Sequence, residues 1–170
     1  MENPQTSEIH PRSSESFCRK KHLAPLSTLV YRSRARVPLS ELELLYLLAQ
    51  ARGRNRAERI TGLLVYDQGV FYQWIEGPDA NMYRLWRSIR QDSRHHGIEI
   101  LSEQQIPVRL FRDWHLQLAF REGFLGRAID GLVEAPSDVL DQLHGRPKDA
   151  PSILSEFSSL GGGPFARMVD

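Results

Sequence analysis

The pattern of apolar and polar positions between residues 26 and 120 divides into short strand-like runs and longer helix-like segments. Short runs rich in β-branched and aromatic side chains, bounded by Gly, Pro or Asp, are typical of β-strands. The segments that fit this description are 26–31, 60–66, 70–76, 98–106 and 111–120. Asp67-Gln68-Gly69 separates the second run from the third, which predicts a hairpin.

Two segments have helical periodicity instead. Ser40 with Glu43 three residues later forms a capping box, and Gly53 ends the first helix. Gly77-Pro78-Asp79 breaks the chain before the second helix, which ends near Gly97. The apolar stripes, each at i, i+3, i+4 and i+7, are Leu42, Leu45, Tyr46 and Ala49 in the first helix and Met82, Leu85, Trp86 and Ile89 in the second.

The resulting order is β-α-β-β-α-β-β, whose first six elements match the ferredoxin-like, or split βαβ, pattern. We therefore predict an α+β fold with a five-stranded mixed sheet and both helices on one face. Right-handed crossovers predict that strands one and three lie side by side and parallel at the sheet centre. Tyr31 on strand one and Gln73 on strand three can then be neighbours under the helices.

The ends of the chain have weaker signals. Residues 1–24 are polar and aperiodic, which predicts a flexible arm before a domain at 25–120. Residues 121–145 predict a helical extension, in two pieces at 123–134 and 136–143. Residues 146–170 are rich in Pro, Gly and Ser and predict a partly disordered tail, although Phe157, Leu160 and Phe165 indicate that it can dock.

Composition narrows the class of protein. The 170 residues include 22 Lys+Arg and 21 Asp+Glu, a balance that argues against a nucleic-acid partner. No apolar run is long enough for a transmembrane helix, the N-terminus lacks the apolar core of a signal peptide, and the single cysteine, Cys18, excludes an internal disulfide framework. We expect a soluble, cytoplasmic protein.

Gln73 is the most informative residue. Strand alternation puts Phe71, Gln73 and Ile75 on one face of strand three, so the carboxamide lies between two large apolar side chains. A buried amide without partners costs about 1–3 kcal/mol. Gln73 therefore needs a partner, either from the protein or from a ligand.

Other polar features each have an ordinary structural explanation. Asn55 follows Gly53 in a position typical of a turn, and Arg94 and His95 near a helix end complement its dipole. The histidines lack Cys or carboxylate neighbours at ligand spacing, so we predict no metal site. The dinucleotide-binding, phosphate-loop and nucleophile-elbow motifs are absent from the sequence.

In combination, these segments resemble the BLUF family, the blue-light sensors that use flavin. The segments that carry the resemblance are Tyr31-Arg32-Ser33, Asn55 followed by Ile60-Thr61-Gly62-Leu63-Leu64, 69–78, 89–95, and Arg109 with 111–115. The resemblance runs from about residue 26 to residue 120, which is more than half of the chain. The segments keep the order and spacing of the family.

The resemblance implies one non-covalently bound FAD, with its ring between the two helices. It implies that Asn55 bonds the pyrimidine edge of the flavin and that Gln73 lies between Tyr31 and the N5/O4 edge. Asp92, Arg94 and His95 fall where the family holds the ring edge and the ribityl-phosphate side. Arg54 stands where some relatives have a histidine near the ring.

The resemblance also implies a mechanism: light drives an electron and a proton from Tyr31 through Gln73, and recombination leaves a rearranged hydrogen-bond network with red-shifted absorbance. Trp114 and Leu116 fall on the strand that transmits the signal, and strand alternation puts both side chains on one face of it. Many relatives carry Met where this chain has Leu116, so we expect altered dark recovery or weaker output. The output is expected to pass through contacts with a protein effector or transcriptional regulator, and a homo-oligomer is plausible.

Two other functions remain open at this stage. The first is a ferredoxin-like interaction module without flavin photochemistry, which would be colourless. The second is an acylphosphatase-like hydrolase, which needs an anion-cradling loop after strand one. The basic segment 32–36 lies there but contains no glycine, so the sequence favours a photosensor without enzymatic activity.

Overall fold

The computed structural model describes residues 24–121 and 130–160. The strands are β1 (Leu26–Ala35), β2 (Thr61–Asp67), β3 (Val70–Pro78), β4 (His95–Ile106), β5 (Gln117–Arg121) and β6 (Leu132–Ala135). The helices are α1 (Glu41–Ala57), α2 (Asp79–Gln91), α3 (Ser137–Gly145) and α4 (Ala150–Leu160), with a 3-10 helix at Pro147–Asp149. No helix within these two ranges is long and apolar enough to cross a membrane.

The strands form one mixed sheet in the order β4-β1-β3-β2-β5-β6. The predicted α+β, ferredoxin-like class is confirmed, and β1 does lie beside β3. The two strands are antiparallel, however, so the predicted parallel pairing is wrong. In a split βαβ unit, the helix crossover makes β1 parallel to β2, and β3 sits between them. The tight hairpin reverses β3 relative to β2, and therefore relative to β1.

The sheet has a sixth strand and a shorter fifth one. β5 begins at Gln117, and the six residues before it, predicted to be strand, are irregular. Backbone N–H groups of Leu110 and Phe111 bond the Glu76 carboxylate, which draws this segment away from a strand path. β6 lies in the extension predicted to be helical, pairs parallel to β5 and follows Gly131 at φ 91°. The predicted helix at 123–134 otherwise falls largely outside the described residues.

Both faces of the sheet are covered by helices. On the front face, α1 and α2 pack over residues that include Leu29, Tyr31 and Ile75. On the back face, α3 and α4 pack over Tyr72 and Trp74. The alternation predicted for β3 is therefore confirmed, with Gln73 facing forward between two residues that face backward.

The C-terminal segment takes part in the back layer. α3 agrees with the prediction, and residues 147–160 of the predicted tail are helical. Phe157 is 1% exposed and packs in the back core with Leu140, Leu143 and Leu154. Residues 1–23 and 161–170, with Phe165, lie outside the described residues, so the predicted flexible arm and the disorder of the last residues stay predictions.

The predicted apolar stripe is buried in α2 but not in α1. In α2, Met82, Leu85 and Ile89 are buried, as predicted. In α1, the predicted stripe (Leu42, Leu45, Tyr46 and Ala49, hereafter the outer stripe) does not face the sheet. Leu42 is 76% and Tyr46 64% exposed. The buried residues of α1 are Leu44, Leu48 and Asn55. Leucines occur around most of this helix, so spacing alone did not select the buried face.

Candidate functional site

A cleft opens between α1 and α2 above the front face of the sheet. Its floor is formed by side chains of β1, β2 and β3, and its walls come from α1, the end of α2 and the start of β4. The lining residues are Tyr31, Ser33, Leu47, Gln50, Ala51, Arg54, Leu64, Phe71, Gln73, Ile89, Asp92, Arg94, His95 and Leu116. Of the nine site residues proposed from the sequence, all but Asn55 and Trp114 line this cleft.

Tyr31 and Gln73 form a hydrogen-bonded pair on the cleft floor. They stand directly opposite each other in the β1–β3 register. The phenolic O–H of Tyr31 donates to Oε1 of Gln73. Gln73 is only 8% exposed, and its Nε2 has no hydrogen-bond partner within residues 24–121 and 130–160. One end of the amide is therefore bonded within the protein, and the other end is unpaired in the cleft.

The surroundings of Tyr31 keep the phenol protonated. Burial raises the pKa of Tyr31 well above its usual value, and the nearby negative charge of Asp92 raises it further. The ring of Trp86 lies 5.2 Å from the Tyr31 ring, centroid to centroid, and covers it from α2. At neutral pH, Tyr31 is thus a neutral hydrogen-bond donor on the floor of the cleft.

Asp92 and Arg94 form an ion pair where α2 ends. The backbone N–H and the Nε of Arg94 each donate to Oδ1 of Asp92 at 2.9 Å. These bonds hold the pKa of the Asp92 carboxyl below its usual range, despite its partial burial. The two charged groups therefore stay ionised at the polar end of the cleft.

His95 braces the cleft wall with both ring nitrogens. Nε2 lies 2.8 Å from the carbonyl oxygen of Ile89, and Nδ1 lies 2.8 Å from Oγ of Ser33. A carbonyl only accepts, so Nε2 carries the proton and donates. His95 therefore fixes β4 against α2 and β1, and its ring also meets the Phe71 ring edge to face, with centroids 6.4 Å apart. Within the described ranges, no three His, Cys, Asp or Glu side chains are close enough to hold a metal ion.

Asn55 lies behind the cleft wall. Its Nδ2 donates to the carbonyl oxygen of His115 at 2.8 Å, which ties α1 to the residue before Leu116. Its Oδ1 is buried and has no partner among the described residues. An unpaired buried acceptor is costly, so this atom indicates a missing donor. Arg54, the preceding residue, is exposed at the rim of the cleft.

Trp114 and Leu116 lie on opposite sides of the sheet. Leu116 is 1% exposed and reaches the cleft. Trp114 stacks on Phe111, with ring centroids 5.1 Å apart, and Phe111 in turn meets Trp74 on the back face. The expectation that Trp114 and Leu116 share a face is therefore wrong, because segment 111–116 is not a strand and side-chain alternation does not apply to it.

Sequence reasoning missed a third face of α1. Leu47, Gln50, Ala51 and Arg54 are spaced i, i+3, i+4 and i+7, and all line the cleft. The sequence contains this spacing, but two of the four residues, Gln50 and Arg54, are polar. A pattern of apolar residues therefore does not indicate this face. Ser33, the partner of His95, was also missed as a site residue.

The basic segment after Tyr31 does not form an anion-binding loop. β1 continues to Ala35, so residues 32–35 are strand. Arg32 is on the back face and is paired with Glu99 at 2.6 Å. The structure therefore provides no observation in favour of the hydrolase alternative.

These features fit a flavin. An isoalloxazine ring is flat and largely apolar on its faces, with donors and acceptors along one edge, and ligand sites typically combine apolar walls with a few polar groups. The unpaired Oδ1 of Asn55 needs a donor, and the free Nε2 of Gln73 needs an acceptor. The ring edge offers both.

Comparisons with known proteins point to one family. The family described as "Sensors of blue-light using FAD" matches residues 26–117. Photoactivated adenylate cyclase subunit beta of Euglena longa is 39% identical over 140 residues, which are 82% of this chain and 16% of that protein. The blue light- and temperature-regulated antirepressor BluF of Escherichia coli (strain K12) is 35% identical over 88 residues, 51% of this chain and 21% of that protein.

Among solved structures, the dark state of the BLUF protein BlrB aligns with a TM-score of 0.67 and 28% identity, covering 81% of this chain and 98% of that one. The chain spans less than a quarter of the length of the two curated relatives. The family match covers more than half of the chain and includes the floor of the cleft and most of its walls. The chain belongs to the BLUF family, the sensors of blue light that use FAD.

Proposed function

We propose that this protein is a blue-light photoreceptor that binds FAD non-covalently and uses Tyr31 and Gln73 as its photochemical pair. The observation that carries the proposal is the hydrogen bond from the Tyr31 hydroxyl to Oε1 of Gln73 on the cleft floor. A redox-active phenol is thereby joined to an amide whose other end is open to the cleft.

The residues that would hold the flavin surround this pair. Gln73 would bond the polar edge of the ring from the cleft floor, and Asn55 would bond it from behind the wall through its unpaired Oδ1. Arg54, Asp92 and Arg94 supply charge at the rim. His95 would contact the ring from the wall, since its nitrogens are occupied. When bound, FAD supplies an excited state that accepts an electron under blue light.

The protein residues then act in sequence. Tyr31 gives up an electron, and its proton passes to Oε1 of Gln73. Gln73 then either turns the other end of its amide toward Tyr31 or changes its tautomer. Tyr31 afterwards regains its electron and proton, so no residue is chemically changed, but the hydrogen bonds around Gln73 are rearranged. A buried polar network has discrete satisfied arrangements, and this lets it work as a two-state switch.

The signal would leave through segment 114–116. Leu116 borders the cleft, and the carbonyl of His115 is bonded to Asn55. Trp114 packs on the back core that holds α3 and α4. We propose output by contact with a protein effector, a class supported by relatives named as an antirepressor and as cyclase subunits.

Dark-minus-light absorbance spectra test the proposal. The wild type should bind flavin and show a reversible red shift under blue light. Tyr31→Phe and Gln73→Leu should retain flavin and lose the normal red-shifted state. Tyr83→Phe is a matched control, because Tyr83 is 70% exposed on α2.

Two results would contradict it. A normal red shift in either cleft variant would refute the roles of Tyr31 and Gln73. Protein that stays colourless after FAD is added would favour the interaction module without photochemistry.

A further inference from the structure

We propose that Glu76 is a positioning residue for segment 109–116. Its buried carboxylate holds this segment on the back of the sheet and thereby favours the dark arrangement of Trp114 and Leu116. The inference rests on the proposed function, because it concerns the segment through which the signal would leave. Glu76 itself is not among the residues that line the cleft.

The carboxylate of Glu76 is fully buried and is surrounded by hydrogen-bond donors. Glu76 is 0% exposed, near the end of β3. The backbone N–H of Leu110 donates to Oε2 at 3.0 Å, and the backbone N–H of Phe111 donates to Oε1. Nε1 of Trp74 and Oγ1 of Thr61 donate longer bonds, each of 3.4 Å. Both carboxylate oxygens are therefore used as acceptors, and three parts of the chain meet at one side chain.

Arg109 holds the same segment from the opposite direction. Its Nη1 donates to Oγ1 of Thr61 at 2.8 Å and to the carbonyl oxygen of Glu76 at 2.7 Å. Its Nη2 donates to the carbonyl oxygen of Arg59. The side chain of Arg109 thus binds the sheet, while the side chain of Glu76 binds the backbone of the next two residues. We call this pair the Glu76–Arg109 clamp. Its bonds involve charged groups, which make the stronger hydrogen bonds in proteins.

The clamp fixes the aromatic rings on which Trp114 packs. The ring of Phe111 lies 5.7 Å from the Trp74 ring and 5.1 Å from the Trp114 ring, centroid to centroid. The carbonyl oxygen of Trp114 also accepts a bond of 2.6 Å from the N–H of Gly62. Leu116, two residues further along, borders the cleft. A movement of Trp114 or Leu116 away from this arrangement therefore acts against the clamp.

The chemistry of the carboxylate provides a sharp substitution. A glutamine has nearly the same size as a glutamate, but its amide offers one acceptor oxygen and an NH₂ group that only donates. In Glu76→Gln, one of the two backbone N–H groups, that of Leu110 or that of Phe111, therefore faces another donor. The substitution weakens the clamp without leaving a cavity.

Hydrogen–deuterium exchange in the dark tests whether Glu76 holds the segment. In Glu76→Gln, the amides of residues 109–111 should exchange roughly tenfold faster or more, because they lose an acceptor. The amides of β1 should stay protected, which shows that the sheet is folded. Asp67→Asn is the matched control, because Asp67 is a carboxylate only 8% exposed at the other end of β2. It should leave exchange at 109–111 unchanged.

Recovery of absorbance after a blue pulse tests whether the clamp acts on the photocycle. In Glu76→Gln, dark recovery should slow about 3- to 10-fold, because the loss of one or two hydrogen bonds removes part of the preference for the dark arrangement. Asp67→Asn should recover at the wild-type rate. Arg109→Gln should also slow recovery, and the double variant should be little slower than the slower single variant, because the two side chains act as one clamp.

The outcomes separate this inference from the proposed function. A wild type without a red shift would refute the proposed function and, with it, the role of Glu76 in recovery. A normal red shift in the wild type, with wild-type recovery in Glu76→Gln, would overturn the role of Glu76 alone. Unchanged exchange at 109–111, or equal slowing in Asp67→Asn, would overturn it as well. If Glu76→Gln does not fold, Arg109→Gln decides by the same two measurements.

Discussion

At the scale of single residues, two amides define the site. Gln73 has one end bonded to Tyr31 and the other without a partner in the described residues. Asn55 has its Nδ2 bonded to His115 and its Oδ1 buried without a partner. Each amide is half satisfied by the protein, and a half-satisfied buried group is costly. We propose that the edge of the bound flavin pairs with the open end of each amide.

Asn55→Ala should weaken FAD binding. Loss of one buried hydrogen bond to the ring is worth about 1–2 kcal/mol, or roughly 5- to 30-fold in the dissociation constant, measured by fluorescence titration with FAD. Asn81→Ala is the matched control, because Nδ2 of Asn81 also donates to a backbone carbonyl, that of Glu58, away from the cleft. An equal loss of affinity in both variants would mean that Asn55 acts through stability only.

Leu116→Met should change the rate of dark recovery, because the flexible thioether would bring a weak acceptor to the cleft wall beside Gln73. We expect a change of about 3- to 10-fold, equal to ~0.7–1.4 kcal/mol of activation free energy. Recovery of absorbance after a blue pulse measures it. Leu118→Met, at a buried residue on the same face that does not line the cleft, is the control. Recovery kinetics identical to those of the wild type would refute a role for this position.

At the scale of elements, α1 presents three different faces. One packs on the sheet through Leu44 and Leu48, one lines the cleft through Leu47 and Arg54, and the outer stripe is exposed. The same helix thus contributes to the core and to the site, and its third face is exposed. The sequence indicated a helix with an apolar stripe, but three candidate stripes occupy 17 residues.

Core and outer positions of α1 should differ sharply in stability. Leu48→Ala should lower the free energy of unfolding by about 2–5 kcal/mol, because it leaves a cavity in the front core. Leu42→Ala should change it by less than ~0.5 kcal/mol. Urea unfolding measures both. Similar costs at the two positions would contradict the placement of α1.

At the scale of the whole molecule, a partly buried charge cluster joins the C-terminal helix α3 to the sheet. Asp67 at the end of β2 accepts hydrogen bonds from Arg121 at 2.7 Å and from His144 of α3 at 2.9 Å. Burial alone would raise the pKa of Asp67, but the bonds from Arg121 and His144 outweigh it and hold the pKa below its usual range. The hydroxyl of Tyr72 adds a bond to the carbonyl of Leu143.

This cluster predicts a pH-dependent contribution to stability. Because the pKa of Asp67 is lowered by folding, its contribution is complete above the ordinary carboxyl pKa and is lost as the pH falls through the folded value. Asp67→Asn should lower the free energy of unfolding by roughly 1–3 kcal/mol at pH 7, and the difference from the wild type should shrink below about pH 4.

Urea unfolding between pH 7 and pH 3 measures this difference. Asp149→Asn, which removes one side of an exposed ion pair with Arg146, should have little effect at any pH. A difference for Asp67→Asn that is constant across the pH range would show that the charge of Asp67 does not fasten α3.

The sequence by itself determined the features that depend on near neighbours in the chain. The order of the elements from β1 to β5, the hairpin of β2 and β3 and the alternation of side chains along β3 follow from local periodicity and turns. The placement of Gln73 beside Tyr31 came from the crossover rule, although the parallel orientation predicted with it was wrong. The family resemblance then proposed the site residues, and seven of the nine line one cleft. Their roles toward flavin stay predictions.

Only the tertiary structure decided between locally equivalent alternatives. It selected Leu44 and Leu48 over Leu42 and Tyr46 as the buried face of α1, and it sent Trp114 to the back of the sheet. The physical reason is common to both. Periodicity indicates that a face is apolar. It does not indicate which face is buried or where an irregular segment runs. Both depend on competition for burial and for hydrogen bonds between residues far apart in the chain, such as Glu76 with Phe111.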